Sequence, residues 1–464
     1  MQVVRAYRYA LDPTPAQARA LAAHCGAARF AFNWGLALIK ANLGRRAAER
    51  SYGICGDELT PSLPWSMYAL RKAWNQAKDE VAPWWPECSK EAYACGLERL
   101  AAALNNWAAA RMGKRKGRVM GFPSFRSRRK TTPSVRFTTG TIRLDGRTHV
   151  VLPRLGRIKT HESTRKLARR IEAGTARIAS ATVRWEAGRW QVAFSVHVDR
   201  PVRVPRRPDA VVGVDLGVRT LAVFSDDRPP AANPKHLAGA SKRLRRAARA
   251  VSRKIGPDRR TGQQPSQRWL RANAVRNRAQ HRVAALRRDA LHQLTTGLAR
   301  EYGAIVIEDL HVAGMLRNHR LAKAISDAGF GEIRRQLTYK TVWNGGRLIV
   351  ADRWYPSSQT CSACGTAKTK ACQPACVKPV AGPLPLSART FTCPACGLAI
   401  DRDRNAARNL ASLVQHVAGS GPETVTDTEP TRRPRPAGPV AMKRLPRIGR
   451  PGKTGTFTQQ WANH

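Results

Sequence analysis

Two kinds of residue in this chain are placed where they could do chemistry. The first is a pair of knuckles, Cys361-Ser-Ala-Cys364-Gly and Cys393-Pro-Ala-Cys396-Gly. In each, a tight turn brings two thiolates to one side, and Gly365 and Gly397 permit the turn. Two such knuckles make a four-sulfur tetrahedral site, which suits a structural Zn²⁺ and leaves no open position for a substrate. Residues 365–392 separate the knuckles, a wider gap than usual, and Cys372 and Cys376 within it are read as a loop insertion that binds nothing. The second is a set of carboxylates. Asp215 ends the run Val-Val-Gly-Val-Asp, Glu308 follows Ala-Ile-Val-Ile, and Asp403 sits just before the last periodic helix. Acids at the ends of apolar strands are costly to bury, and a divalent ion is one way to offset that cost. Converging there, they could hold two Mg²⁺ or Mn²⁺ ions, one activating a water and the other stabilising the leaving oxygen of a phosphodiester. Each acid also has a plainer role open to it. Asp215 could begin a turn with Leu216 and Gly217, Glu308 or Asp309 could pair with an arginine, and Asp401 or Asp403 could cap the helix that follows.

The charge points to the class of partner. Lys and Arg number 82 against 31 Asp and Glu, a formal net charge of +51. A compact body with that charge repels itself unless a polyanion neutralises it, and nucleic acid is the expected polyanion. No apolar run reaches the ~18–20 residues needed to span a bilayer, so no membrane partner is expected. The opening MQVVRAYRYALDPTP lacks the apolar centre of a signal peptide, which makes a cytoplasmic location the expectation. Ten cysteines, six of them crowded between 361 and 396, favour metal over disulfides in that setting. Cys88 and Cys95, seven apart in an Ala- and Leu-rich segment, are read as buried thiols.

The elements that must position these residues follow from the periodicity. Residues 1–12 alternate as a strand, and Thr14-Pro15 reads as an N-cap followed by proline at the first helical position. Residues 13–116 are read as a helical recognition lobe. Residues 117–205 alternate apolar and polar between Gly and Asp-Gly turns, as in a small antiparallel sheet or β-barrel completed by the N-terminal strand. The leading edge of that region, GKRKGRVMGFPSFRSRRK, sets Phe122 and Phe125 among Lys and Arg, a composition suited to nucleic acid. Residues 206–356 return to apolar strands and contain a basic helical hairpin over 239–300. Its two apolar stripes are read at Leu244, Ala247, Val251 and Ile255, and at Val283, Leu286, Ala290 and Leu294. The zinc ribbon occupies 357–400, a final helix 401–417, and 418–464 is a Pro- and Arg-rich tail without periodicity, read as disordered. The fold class is therefore α+β and multidomain.

The order of the acids, with a β-hairpin, helices, a strand, a helix, a strand and a helix among them, resembles the RNase H-like fold of RuvC-type nucleases. Four motifs carry a closer resemblance: VVGVDLGVRTLAVFSD, IVIEDLHVAGM, DRWYPSSQTCSACG and FTCPACGLAIDRDRNAARNL, in that order. Together with AYRYALDPTPAQ and GFPSFRSRRK they resemble the TnpB (OrfB) proteins of bacterial insertion sequences, often called transposases, across nearly all of the chain to about residue 415. The resemblance implies an RNA-guided DNA endonuclease related to type V CRISPR effectors. Such a protein binds a guide RNA made from the transposon end and cuts double-stranded target DNA at one RuvC-like site. By motif, Asp215, Glu308 and Asp403 are then the catalytic acids and Mg²⁺ or Mn²⁺ ligands, with Asp403 chosen as the acid two before Asn405. Cys361, Cys364, Cys393 and Cys396 are the zinc ligands, and a monomer on one RNA is the expected state. The competing reading is a catalytically silent, RNA-guided DNA-binding regulator of transposition.

Overall fold

The N-terminal turn shows how local chemistry starts the fold. Thr14 accepts the Gln17 N–H through its hydroxyl at 3.3 Å, and the Gln17 side chain accepts the Thr14 N–H at 3.0 Å. This reciprocal cap, with Pro15 in the first turn, ends one strand and begins a 37-residue helix. The computed structural model describes residues 1–418 apart from Lys116, Arg118, Val119, Lys130, Arg259 and 368–388. Cys372, Cys376 and nearly all of the basic tail therefore lie outside the described residues.

In chain order, β1 (Gln2–Asp12) leads into α1 (Pro15–Ser51), α2 (Met67–Val81) and α3 (Lys90–Arg111). Next come β2 (Ser134–Phe137), β3 (Arg143–Asp145), β4 (His149–Leu152), β5 (Gly156–Thr160), α4 (Arg165–Glu172), β6 (Ala176–Glu186) and β7 (Arg189–Asp199). Then follow β8 (Arg207–Asp215), β9 (Thr220–Phe224), β10 (Ala231–Ala232), α5 (His236–Gly239), α6 (Ser241–Ser252), α7 (Gln267–Glu301) and β11 (Tyr302–Glu308). The last described elements are α8 (Val312–Met315), α9 (Ala322–Ala328), α10 (Phe330–Trp343), β12 (Arg347–Ala351), β13 (Thr390–Thr392), β14 (Ala399–Asp401) and α11 (Arg402–Ala418). Residues 1–415 form one compact unit; of the unit from His416 onward, only the end of α11 is described.

Seven antiparallel strands form one sheet in the order β2-β6-β7-β1-β5-β4-β3. β1 pairs with β7 along Gln2 to Ala10 and then with β5 at Leu11 and Asp12. Among the described residues no ladder joins β2 to β3. The inward side chains of this sheet, such as Phe137, Val183, Val192 and Phe194, share one continuous core with Leu21, Phe32 and Leu36 of α1 and Leu97 and Leu100 of α3. Phe122 packs edge-on against Trp107 and belongs to that core, so it is not the exposed stacking ring its basic neighbours suggest. Phe125 is exposed, with the Lys40 ammonium 4.7 Å from its ring centre. Cys25, Cys88 and Cys95 are buried free thiols, as their apolar setting predicts.

The second sheet has the order β10-β9-β8-β11-β12. Its first three strands are antiparallel, whereas β8, β11 and β12 run parallel. A parallel strand covered on both faces must be apolar throughout, which is why β11 reads Ala-Ile-Val-Ile without alternation. One face packs Val212, Val214, Ile305 and Ile307 against Leu291 and Leu298 of α7 and Ile333 and Leu337 of α10. The other packs Val306 and Ala351 against Leu410 and Val414 of α11. The buried stripe of α7 runs through Ala279, Val283, Leu291, Thr295 and Leu298. It is rotated from the stripe expected through Leu286, which is 44% exposed, because a 35-residue helix drifts around its neighbours and a fixed spacing loses the contact face. Ile255 is exposed too, since α6 ends at Ser252. No helix of the described residues is long and apolar enough to cross a membrane.

Candidate active site and metal centre

The position of the three acids follows from strand register and one missing side chain. Val214 of β8 lies level with Ile307 of β11, so Asp215 and Glu308 come next on adjacent parallel strands, at the same end of the sheet. Alternation puts both on the α11 face, two residues beyond Gly213 and Val306 respectively. Gly213 is where α11 touches β8: a Cβ there would overlap the carbonyl of Ala407 and lie 2.7 Å from the Ala411 nitrogen. The missing Cβ lets the helix backbone rest on the strand, and Asp403, one turn before Ala407, is thereby brought towards Asp215.

The neighbouring acids take the plainer roles. Asp401 accepts the N–H groups of Asp403 and Arg404, both at 3.0 Å, and so caps α11. Asp309, on the opposite side of its strand from Glu308, is clamped by Arg334 and Arg353. Glu308 accepts a hydrogen bond from the Ser357 hydroxyl. Asp403 accepts one from Arg389 at 3.3 Å. Burial first, then the charges of Glu308 and Asp403, push the Asp215 carboxyl up to about 8. That mutual repulsion marks the three groups as one electrostatic site. It is looser than the thiol cluster, because the four cysteines are the set whose ligand atoms all lie within 4.8 Å among the described residues.

In the knuckles, Cys361 and Cys396 stand 3.6 Å apart at sulfur, as do Cys364 and Cys393. Four sulfurs ~2.3 Å from a tetrahedral ion are separated by about 3.8 Å, so the cluster could hold such an ion with little adjustment. Gly365 and Gly397 have φ of +75° and +72°, the conformation the knuckle turn requires. Cys361 and Cys393 are buried around Phe391, and the other two thiols face solvent.

Two buried asparagines tie this cluster to the acids, and nothing in their residue type announced it. The Asn405 amide donates to Thr360 O at 2.7 Å and its oxygen accepts the Ser362 N–H at 2.9 Å. Asn409 donates to the carbonyls of Ser357 and Thr360. Tyr355 donates to Asn409 O at 3.1 Å. The segment from Tyr355 to Ser362 is thus riveted to α11, and its Ser357 reaches Glu308. The only trace in the sequence is the four-residue spacing of Asn405 and Asn409, one face of a helix.

A broad groove of about 1500 Å³ lies where β1, α4, α7 and α10 meet, lined by Arg5, Arg8, Arg170, Arg200, Arg287 and Arg288 among others. Burial and then the guanidiniums of Arg203, Arg5, Arg300 and Arg170 depress the Arg200 pKa. Burial likewise lowers Lys340 to about 8. Burial and neighbouring guanidiniums outweigh Glu332, the one acid among the lining residues, which raises Lys340, so the groove keeps a positive field. Arg5 and Arg200 also lie over the ring of Trp343, at 5.7 and 5.3 Å.

Sheet, helix and knuckles define a class of α+β proteins in which the last described helix lies across the ends of two parallel acid-bearing strands and its asparagines hydrogen-bond the segment leading into a four-thiol cluster. Over 440 residues, 90% of this chain and 88% of the relative, the sequence is 39% identical to a Mycobacterium tuberculosis protein named "Putative RNA-guided DNA endonuclease". It is 33% identical over 433 residues, 90% of this chain and 92% of the relative, to a Streptomyces pristinaespiralis protein of the same name. Residues 193–319 match the OrfB family described as "Probable transposase", and 330–410 match the "Cas12f1-like, TNB domain". The chain belongs to the OrfB (TnpB) family of insertion-sequence proteins. Residues 1–47 match a model described as "Helix-turn-helix domain", although here they form β1 and part of the unbroken α1. A Cas12f1 chain solved by cryo-EM with sgRNA and target DNA is similar at a TM-score of 0.45 and 9% identity, covering 88% of this chain and 99% of that one.

Proposed function

We propose that this chain is an RNA-guided DNA endonuclease that cuts double-stranded DNA at a single RuvC-like site formed by Asp215, Glu308 and Asp403. The observation that carries the reading is the convergence of these three acids at one end of the sheet, on the face covered by α11. Their hard oxygen donors fit Mg²⁺ or Mn²⁺, and a divalent cation offsets the cost of ionising Asp215 in its buried place beside two other acids. Such ions supply activation of a water and stabilisation of the leaving oxygen during phosphodiester hydrolysis. The chain's own part is positional. Register holds Asp215 beside Glu308, Ser357 orients the Glu308 carboxylate, Asp401 caps α11, and the positive end of that helix favours negative charge beside it. The basic groove suits a guide–target heteroduplex of ~20 bp, read through its backbone while base pairing supplies sequence. The seven-stranded sheet is read as the barrel that grips the RNA, and a monomer on one RNA as the working state. The names of the two relatives support the same activity.

The test is to purify the chain with RNA transcribed through the 3′ end of its own gene and add Mg²⁺ and a plasmid carrying a matched target. Linear product that requires both the RNA and the match supports the reading. Guide-dependent binding with no linear product would instead establish the silent regulator. Ser357→Ala frees the Glu308 carboxylate without touching the ion, so it should raise the Mg²⁺ concentration for half-maximal cutting by about 10- to 100-fold, the usual cost of losing a partner behind a ligand. An unchanged Mg²⁺ titration would remove Ser357 from this role.

The same reading assigns one structural Zn²⁺ to Cys361, Cys364, Cys393 and Cys396. Cys393→Ser should bring the zinc content, measured by mass spectrometry of the purified chain, from about one equivalent to near zero. It should also release the riveted segment, seen as faster amide exchange over residues 355–362 and in α11. Two equivalents in the wild type would show that Cys372 and Cys376 also bind metal.

A further inference from the structure

A second cleft has no part in the reading so far. It measures about 490 Å³ and lies between the β6–β7 turn, the first turns of α7, Arg128, Arg129 and Thr131–Pro133. This falls within the ~300–1,000 Å³ range of sites that take small molecules. Three kinds of group line it. Trp185 is 41% exposed, and its indole packs edge-on against that of Trp190, itself 6% exposed, at 5.2 Å, while its backbone N–H donates to Pro133 O at 3.0 Å and anchors the strand end that carries the ring. Asn273 and Asn277, one helical turn apart, line it from α7; the Asn273 oxygen already accepts from Arg276 at 2.6 Å, so Asn273 offers its NH2 group and Asn277 its amide. Arg128 and Arg129 stand exposed at the rim.

We infer that this cleft takes one unpaired nucleotide of the bound nucleic acid, its base stacked on Trp185, its edge read by Asn273 and Asn277, and its phosphate met by Arg128 and Arg129. An aromatic face left bare by a rigid neighbour is what base stacking needs, since the ordering cost has been met before binding. A small hydrophobic ligand does not need two amides, and a simple anion does not need an indole. A nucleotide uses all three. A base inside a helix shows neither face, so the occupant is unpaired, a bulged or extruded residue of either the guide RNA or the DNA. The inference rests on the proposed nuclease reading only in requiring that nucleic acid be bound.

The test uses the complete chain in its Asp215→Asn form, assembled with its RNA and target DNA. In one arm 4-thiouridine is placed at each position of the RNA in turn, and in the other 4-thiothymidine at each position of the DNA in turn. After irradiation, cross-linked peptides are mapped by mass spectrometry. A cross-link on the peptide bearing Trp185, from one position of one strand, is the expected result, and the arm in which it occurs identifies the source. Trp185→Ala should weaken binding of that strand about 5- to 100-fold, the range of one lost stacking contact, and Trp185→Phe should restore most of it. Asn273→Ala with Asn277→Ala should weaken that same cross-link while the complex still assembles. A complex that assembles fully with no cross-link at Trp185 in either arm overturns the pocket and leaves the nuclease reading intact. Failure of the chain to bind RNA at all overturns both.

Discussion

Replacing Asp215 with asparagine is expected to lower DNA cutting by on the order of a thousandfold or more while guide-dependent binding stays within a few-fold of wild type. Asparagine keeps the shape of the side chain and removes its charge, so strand register is untouched and only the cation-binding property is lost. A second measurement separates this from damage to the fold. Burial first, and then Glu308 and Asp403, push the Asp215 carboxyl up to about 8 in the metal-free protein. An acid whose folded pKa lies above its unfolded value stabilises the fold fully only below the unfolded value, near 4, and loses that contribution as pH rises through 8. Without Mg²⁺, Asp215→Asn should therefore be more stable than wild type in urea at pH 8, and the difference should vanish near pH 4. Greater stability with lost cutting is the signature of a site that gives up stability for function. A variant that cuts at the wild-type rate would dismiss Asp215 from catalysis. One that is less stable at pH 8 would show that the carboxylate has a structural partner.

The second large effect concerns a residue with no chemistry. Gly213→Val places a branched side chain where α11 rests on β8, against the Ala407 carbonyl and the Ala411 nitrogen. Backbone cannot move aside as a side-chain tip can, so the helix must shift, at about the upper end of the 1–3 kcal/mol typical of overpacking. The shift carries Asp403 away from Asp215, and a displacement of ~1 Å at a reacting centre costs about a hundredfold in rate. Gly303→Ala is the control. A Cβ there would overlap the Pro208 carbonyl at the far end of the same strands, so it should lower stability without a comparable fall in rate per folded molecule. Urea denaturation and single-turnover cutting of both variants decide the point. Equal losses of rate would mean that Gly213 acts through stability alone.

The knuckles were legible because metal chemistry is local: two residues between thiols and a glycine after them determine the turn whatever surrounds it. The strands carrying Asp215 and Glu308 were legible for a related reason, since a doubly covered parallel strand must be apolar along its length and an acid at its end stands out. The Thr14-Pro15 cap was legible from two residues, and the structure adds Gln17 to it. Where contacts come from distant segments, sequence was a poorer guide. Phe122 sits among cations and reads as an exposed ring, yet Trp107 takes it into the core. The stripe through Leu286 was misplaced on α7, because the face a long helix buries is chosen by what packs on it.

The sequence by itself determined the donor inventory: four thiols in two knuckles, three acids near strand ends and a helix start, and a charge of +51 that calls for a polyanion. Tertiary structure decided which neighbour does what. Asp401 and Asp403 are two apart in one polar turn, either could have capped the helix, and the structure gives the cap to Asp401. Glu308 and Asp309 are adjacent, and only the strand's alternation turns one towards α11 and leaves the other to Arg334 and Arg353. Ser357, Asn405 and Asn409 acquire their roles only through Glu308 and the Thr360 carbonyl. The physical reason is common to all of them. Residue type sets which bonds a side chain can make, while the choice among possible partners is a matter of ångströms, and those distances exist only after β8, β11 and α11 have packed.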